Sequence, residues 1–353
     1  MEDTIYICRL GEVSGFLEKM IAKFTDEFDE MQSVDTRDIG NYRGKKFLFA
    51  IELEELGVNL DIEPLVQKIY KSKDKDQLKY SAGVILIHSK EDLYTKSVSS
   101  MLVFRLNSMG MQFPGRPMVE APQGLKNYIS PQRRNGKSLE ENCLTEIKDL
   151  ALRFKHYDVF SKSKEKPQIL ALHASEEGSN TLYLWKMVKK NLQGRAYINE
   201  IYIPNGEVKD CEGCSYTVCK HFAKQKSCYY GGIMVEEVYP EIIEADILIM
   251  LCPNYNDALG ANLTAMINRL TALFRHMKFY NKKLYSVIVS GSSGSEVIAA
   301  QLIRALNMNK TFQLPSDFSL AAIANDRGSI FQIQDIEKRA MEFSERICSE
   351  IQK

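Results

Sequence analysis

The feature that most constrains this chain is a recurring pair. A short, continuously apolar run is followed by a helix-length amphipathic segment, and the pair repeats through the carboxyl-terminal half. Gln168 to Ala174, Tyr197 to Ile203, Asp246 to Cys252, Leu284 to Ser290 and Phe318 to Ala324 each read as a strand. Between them, Asn180 to Leu192 reads as a helix, and Leu263, Met266, Ile267, Leu270, Leu273 and Phe274 form one helical stripe between Gly260 and Met277. Ile336, Ala340, Phe343, Ile347 and Ile351 form another. Strands that are apolar on both faces need helices on both faces, which makes the sheet parallel. Five such strands predict a doubly wound three-layer α/β fold of flavodoxin type.

At roughly 150 residues per domain, 353 residues predict two cores. Lys155 to Pro167 is rich in Lys and Ser and has no apolar period, so the boundary is expected there, giving domains 1–160 and 161–353. The first domain carries a weaker version of the same pattern, with a strand at Lys46–Ile51, a helix at Ile62–Tyr70 and a strand from Ala82. Its run from Ala82 through Met101–Leu106 to Gln112–Val119 can be laid beside Ala245, Ala265–Leu270 and Lys278–Tyr285, so the two halves look like copies.

Charge and cysteines narrow the function. Forty-six basic and 46 acidic side chains cancel, leaving no electrostatic footprint for a nucleic-acid binder. The longest apolar run is far short of the roughly 20 residues that cross a bilayer, and the amino terminus does not read as a secretory signal. A cytoplasmic location is expected. Eight cysteines are too sparse for a disulfide scaffold. Four of them, Cys211, Cys214, Cys219 and Cys228, cluster where thiolates would hold a four-iron cluster or zinc, or stand as plain reduced thiols. His221 beside them is an alternative ligand or a surface residue.

A doubly wound sheet binds ligands at the carboxyl ends of its strands. After the first strand of the second domain, Ser175 to Thr181 places small hydroxyl residues and a glycine at a helix start, either an anion cradle or a simple N-cap. After the third strand, Pro253-Asn-Tyr-Asn256 offers a tyrosine between amides that would flank a planar ring. After the fourth, Gly291-Ser-Ser-Gly294 is small enough for a flat heterocycle to approach the backbone. Together the three loops indicate a mononucleotide with an aromatic ring.

These residues resemble the NADPH-dependent FMN reductase and iron-sulfur flavoprotein group over about residues 168–330. Ser179, Asn180 and Thr181 match the end of the motif that holds the FMN phosphate, Ala245 and Asp246 precede the third strand as in the family, Pro253 and Tyr255 match its flavin-side Pro-x-Tyr, and Gly291 to Gly294 its glycine turn. The family's serine and arginine fall on Ala174 and Glu176, so an anionic side chain replaces a cationic one. The resemblance implies FMN held by Ser175, Ser179, Asn180, Thr181, Pro253, Asn254, Tyr255, Asn256, Gly291, Ser292, Ser293 and Gly294, with NAD(P)H as hydride donor and no side chain acting as general acid or base. It further implies a 4Fe-4S cluster on the cysteines of the insert at 211–228, a redox acceptor protein and a homo-oligomer. The competing expectation is a flavodoxin-like scaffold that has lost its cofactor. The first domain lacks the loops: Ser89–Tyr94 stands for the Pro-Asn-Tyr loop and Glu120–Gly124 for the glycine loop, and no Ser-Asn-Thr follows an early strand. It is expected to bind nothing. The basic stretch Ser130–Lys137 reads as a loop, either solvated or touching nicotinamide phosphates.

Overall fold

A computed structural model describes residues 4–34, 42–71, 77–159, 166–174, 177–204 and 206–349. The chain forms two compact units, Met1–Val159 and Phe160–Lys353.

The first unit contains strands β1 (Thr4–Leu10), β2 (Glu30–Ser33), β3 (Lys46–Leu53), β4 (Ala82–Ser89) and β5 (Met118–Ala121). The second contains β6 (Gln168–His173), β7 (Tyr197–Tyr202), β8 (Ile247–Asn254), β9 (Lys283–Ser290) and β10 (Ser319–Ile323). Every pairing is parallel. The orders are β2-β1-β3-β4-β5 and β10-β9-β8-β6-β7. Counted within each unit both read 2-1-3-4-5, the flavodoxin-like order, with the switch point between its first and third strands. The expected fold class is therefore present in both units, and all five strands expected in the second are found to within a residue or two.

Burial follows the alternation of the pleat. In the first sheet Ile5, Ile7, Leu48, Ala50, Val84 and Leu86 point to one side, where the helices Gly15–Thr25 and Leu139–Lys155 bury Leu17, Phe24, Ile147 and Phe154 against them. Phe49, Ile51, Ile85 and Ile87 point to the other side and are buried as well. The helix Leu139–Lys155 starts at a capping box, in which Ser138 Oγ accepts the Glu141 amide and the Glu141 carboxylate accepts the Ser138 amide.

Two expectations change. Residues 129–135 are helical rather than a loop (Ile129–Asn135). Pro131 falls in the first turn, where a missing N–H costs nothing, and Arg133 and Arg134 sit at the carboxyl end, where they suit the helix dipole. The alignment of the two halves is also shifted by one strand. Ala82 begins the fourth strand of its sheet, whereas Ala245 precedes the third strand of the other. The true counterpart of Ala82 is Lys283: Ala82 bridges Gln112 in parallel, and Lys283 bridges Gln313. The repeated Arg-Leu helix end misled the alignment because this plan reuses a similar helix after successive strands.

Candidate functional site

The carboxyl edge of the second sheet gathers four loops. The helix Asn180–Leu192 starts after β6, with Ser179 Oγ accepting the Leu182 amide at 3.2 Å. Ser179 is thus an N-cap, which leaves the neighbouring amides of the first turn directed outward, as at any helix start. Asn180 is buried and fully engaged. Its Nδ2 donates to the Ala324 and Asp326 carbonyls at 3.1 and 2.8 Å, and its Oδ1 accepts the Gly328 amide at 2.9 Å. Asn180 therefore clamps the loop after β10 onto this helix start instead of facing a ligand. Thr181 is buried beside it. Ser175 and Glu176 lie outside the described residues.

The clamped loop carries Arg327, whose guanidinium lies directly over Gly178; a Cβ at Gly178 would run into Nη2, Cζ and Nε of that side chain. Gly178 also has φ +90°, a left-handed conformation that strains any L side chain. A cation thus stands over the helix-start loop, where reading the sequence found only Glu176. Inspection of the loops after the first, third and fourth strands missed it; the available signal was Asn325-Asp-Arg-Gly328 directly after the fifth.

After β8 the chain turns tightly. Tyr255 and Ala258 form an antiparallel bridge, the Ala258 amide donates to the Tyr255 carbonyl at 3.2 Å, and Asn256 and Asp257 have φ of 53° and 56°. Two successive positive φ values mark a type I′ turn, which Asn and Asp tolerate best among non-glycine residues. The turn leaves the Tyr255 ring 60% exposed at the rim. Asn254 then knots this loop to the next one: its Nδ2 donates to Ser290 Oγ at 3.1 Å, to the Ser293 carbonyl at 3.0 Å and to Asp257 Oδ1 at 3.2 Å. Its Oδ1 is buried with no hydrogen-bond partner among the described residues. Gly294, with φ +90°, sits so close to Asp257 that any Cβ would strike its carboxylate, and a Cβ at Gly291 would lie 2.9 Å from Asn325 Oδ1. Pro253 is the last fully buried residue before the turn. The loops carrying residues 178–181, 253–257, 291–294 and 324–328 are therefore in mutual contact at one edge.

This arrangement fits a flavin mononucleotide. Outward amides and the Arg327 cation suit a phosphate, the exposed Tyr255 ring suits a flat heterocycle, and the unpartnered Asn254 oxygen suits a ligand N–H.

The four clustered cysteines are not brought together in the same way. Among the described residues no three His, Cys, Asp or Glu side chains stand close enough to hold one metal ion. Cys211 is exposed, while Cys214, Cys219 and Cys228 are partly so. Of the readings open for these cysteines, the 4Fe-4S cluster implied by the resemblance finds no support among the described residues. Cys219 lies within the helix Tyr216–Lys224, which Ser215 caps by accepting the Val218 amide. The insert is fastened by other groups. Asn268 Nδ2 donates to Asp210 at 2.9 Å, Arg269 Nη2 to the Gly231 carbonyl at 2.8 Å, and the Tyr230 hydroxyl to Glu212 at 3.0 Å. That hydroxyl is pushed up to about 12 by its bond to Glu212. His221 is exposed on the helix and stacks edge-on with Phe222.

Residues 167–326 match the family described as NADPH-dependent FMN reductase, bearing out the resemblance read from the loops. No curated protein matches the chain. Among solved structures, the chain is similar to an NAD(P)H:quinone oxidoreductase from Methanothermobacter marburgensis, at 13% identity over 52% of this chain and 98% of that one, with a TM-score of 0.38. An azoreductase from Bacillus anthracis gives 14% identity over 52% and 100%, with a TM-score of 0.37. Flavodoxin 1 from Bacillus cereus gives 12% identity over 51% and 95%, with a TM-score of 0.33.

Proposed function

With residues 167–326 matching the NADPH-dependent FMN reductase family, we propose that the second unit binds FMN and that the chain is an FMN-dependent oxidoreductase drawing on NAD(P)H. The observation that carries this reading is the joining of four loops at the carboxyl edge of the second sheet, with Arg327 over Gly178 at one end and Tyr255 exposed at the other. Bound there, FMN would supply hydride acceptance and onward electron transfer, chemistry that belongs to the cofactor.

The chain's own residues bind and orient. The helix-start amides and Arg327 would hold the phosphate, with the helix dipole adding favourable potential. Asn180 keeps the arginine-bearing loop in place through three hydrogen bonds to its backbone. Asn254 fixes the Tyr255 turn against the glycine loop and offers its free oxygen to a ring N–H. Pro253, Asn256, Ser292 and Ser293 shape the same rim. Electrons would then pass to a separate acceptor.

The test is direct. Full-length apoprotein titrated with FMN should quench flavin fluorescence saturably at micromolar concentration, and NADH or NADPH should then bleach the flavin's visible absorption. A protein that is colourless as purified and leaves FMN fluorescence unchanged at these concentrations overturns the reading in favour of a scaffold without cofactor.

A further inference from the structure

The carboxyl edge of the first sheet, which lacks the expected loops, is not featureless. A shallow pocket of about 620 Å³, open to solvent, lies there. It lies beside the end of β4, the loop after β5 and the start of the helix that follows β1. Phe16, Pro122, Leu125 and Leu139 supply apolar walls, and His88 lines it as well. Ligands of doubly wound sheets bind at this edge.

The histidine is set from behind. Glu52, the penultimate residue of β3 and 2% exposed, places Oε1 2.5 Å from His88 Nδ1, and its Oε2 accepts the Ser14 amide at 3.1 Å. Ser14 Oγ lies 3.2 Å from the same Nδ1. Both contacts use one ring nitrogen, so this is not a relay that activates Ser14, which in addition caps its helix by accepting the Leu17 amide. An ionised Glu52 can only accept, which puts the proton on Nδ1. With the proton on Nδ1, the neutral form of the ring has its lone pair on Nε2, for which no hydrogen bond exists among the described residues. Phe16 lies beside the imidazole, ring centroids 5.6 Å apart. A buried carboxylate spent on fixing one tautomer of a cavity-lining histidine is an arrangement for recognition.

We infer that this cavity binds a neutral planar aromatic molecule that presents an O–H or N–H to His88 Nε2. The apolar walls take the ring faces, and the lone pair reads the donor. The inference is independent of the flavin reading, because every residue it uses belongs to the first unit.

The test uses 2-naphthol as probe, with 2-methoxynaphthalene as the analogue lacking the donor. Calorimetry is run on full-length protein in excess FMN, so that any flavin site is filled. The wild type should bind 2-naphthol saturably and at least about 10-fold more tightly than the methyl ether, the difference expected from one hydrogen bond to a largely shielded imidazole nitrogen. His88→Asn keeps a donor toward Glu52 but removes Nε2; it should erase that preference while leaving the ether's affinity unchanged. Leu139→Trp fills the cavity and should weaken both probes at least about 10-fold. Absence of binding up to millimolar 2-naphthol, unchanged binding in Leu139→Trp, or an undiminished preference in His88→Asn overturns the inference. Thermal melts of both variants confirm that they are folded.

Discussion

Asn107 and Asn307 make the same buried contact in two different units. Each lies near the end of the helical segment that follows the fourth strand of its sheet, each is fully buried, and each donates Nδ2 to a carbonyl four or five residues on: Met111 at 2.9 Å and Phe312 at 2.8 Å. In both, a Gln-containing segment then bridges the start of a strand, Gln112 to Ala82 and Gln313 to Lys283. A buried carbonyl stripped of its donor costs about 1–3 kcal/mol. Asn107→Ala and Asn307→Ala should each destabilise the protein by about that amount in urea unfolding, and a loss below about 0.5 kcal/mol in either would show that the contact is incidental.

Arg327 supplies the cation over Gly178. A charge-assisted contact to phosphate is worth about 1.5–3 kcal/mol, or about 10- to 100-fold in affinity. Arg327→Ala should weaken FMN by that factor and leave riboflavin, which has no phosphate, nearly unchanged. Equal weakening of both flavins would assign the arginine a structural part only.

The turn at Asn256 and Asp257 demands left-handed backbone. Asn256→Gly should be tolerated, whereas Asn256→Val forces a β-branched residue into a strained region at a cost of about 1–3 kcal/mol. The valine variant is expected to lower the melting temperature and loosen flavin binding together, since Tyr255 rides on the turn. A valine variant as stable as the glycine one would show that the turn is not so constrained.

Thiol reactivity should divide the cysteines by position. Burial pushes Cys8 and Cys143 up to about 12 and raises Cys252 and Cys348 as well, so these four stay protonated and sheltered. Cys211, Cys214, Cys219 and Cys228 are reachable from solvent. A maleimide should label up to these four in the folded protein, Cys211 first, and all eight after denaturation. Rapid native labelling of Cys8 or Cys252 would contradict the packing.

Glu52 gives the first unit an acid limit. Burial resists its ionisation, but hydrogen bonds from the His88 and Ser14 side chains and the Ser14 amide outweigh it and hold the carboxyl below its ordinary 4.5. A folded value below the unfolded one means the stabilisation is complete above pH 4.5 and is lost as pH falls through the folded value. Glu52→Gln should be less stable at neutral pH and should show a shallower loss between pH 5 and pH 3 in chemical unfolding. An unchanged slope would remove Glu52 from the acid response.

How much of this was legible depended on where each signal resides. β6, β8 and β9 are apolar on both faces, so continuous runs betrayed them. β2, Glu30–Ser33, is an edge strand with every residue exposed and carries no apolar pattern at all. β1 mixes buried and half-buried positions with Arg9, a weaker signal than a run apolar on both faces. At the candidate site the glycine and Pro-Asn-Tyr loops were readable because their composition is unusual. The parts played by Asn180 and Arg327 were not, since each is fixed by contact with residues far off in the chain. His88 and Glu52 were invisible for the same reason: they meet only because β3 and β4 pair in register, with Glu52 opposite His88.

The strand order of both sheets bears on how they are made. In each, the first strand synthesised pairs with the second on one side and with the third on the other; the fourth then joins the third, and the fifth joins the fourth. No strand has to wedge between two partners already joined. Each sheet can grow outward at its free margins in the order the ribosome delivers it, and at about 5–20 residues per second the first has its last strand tens of residues before the second begins to emerge.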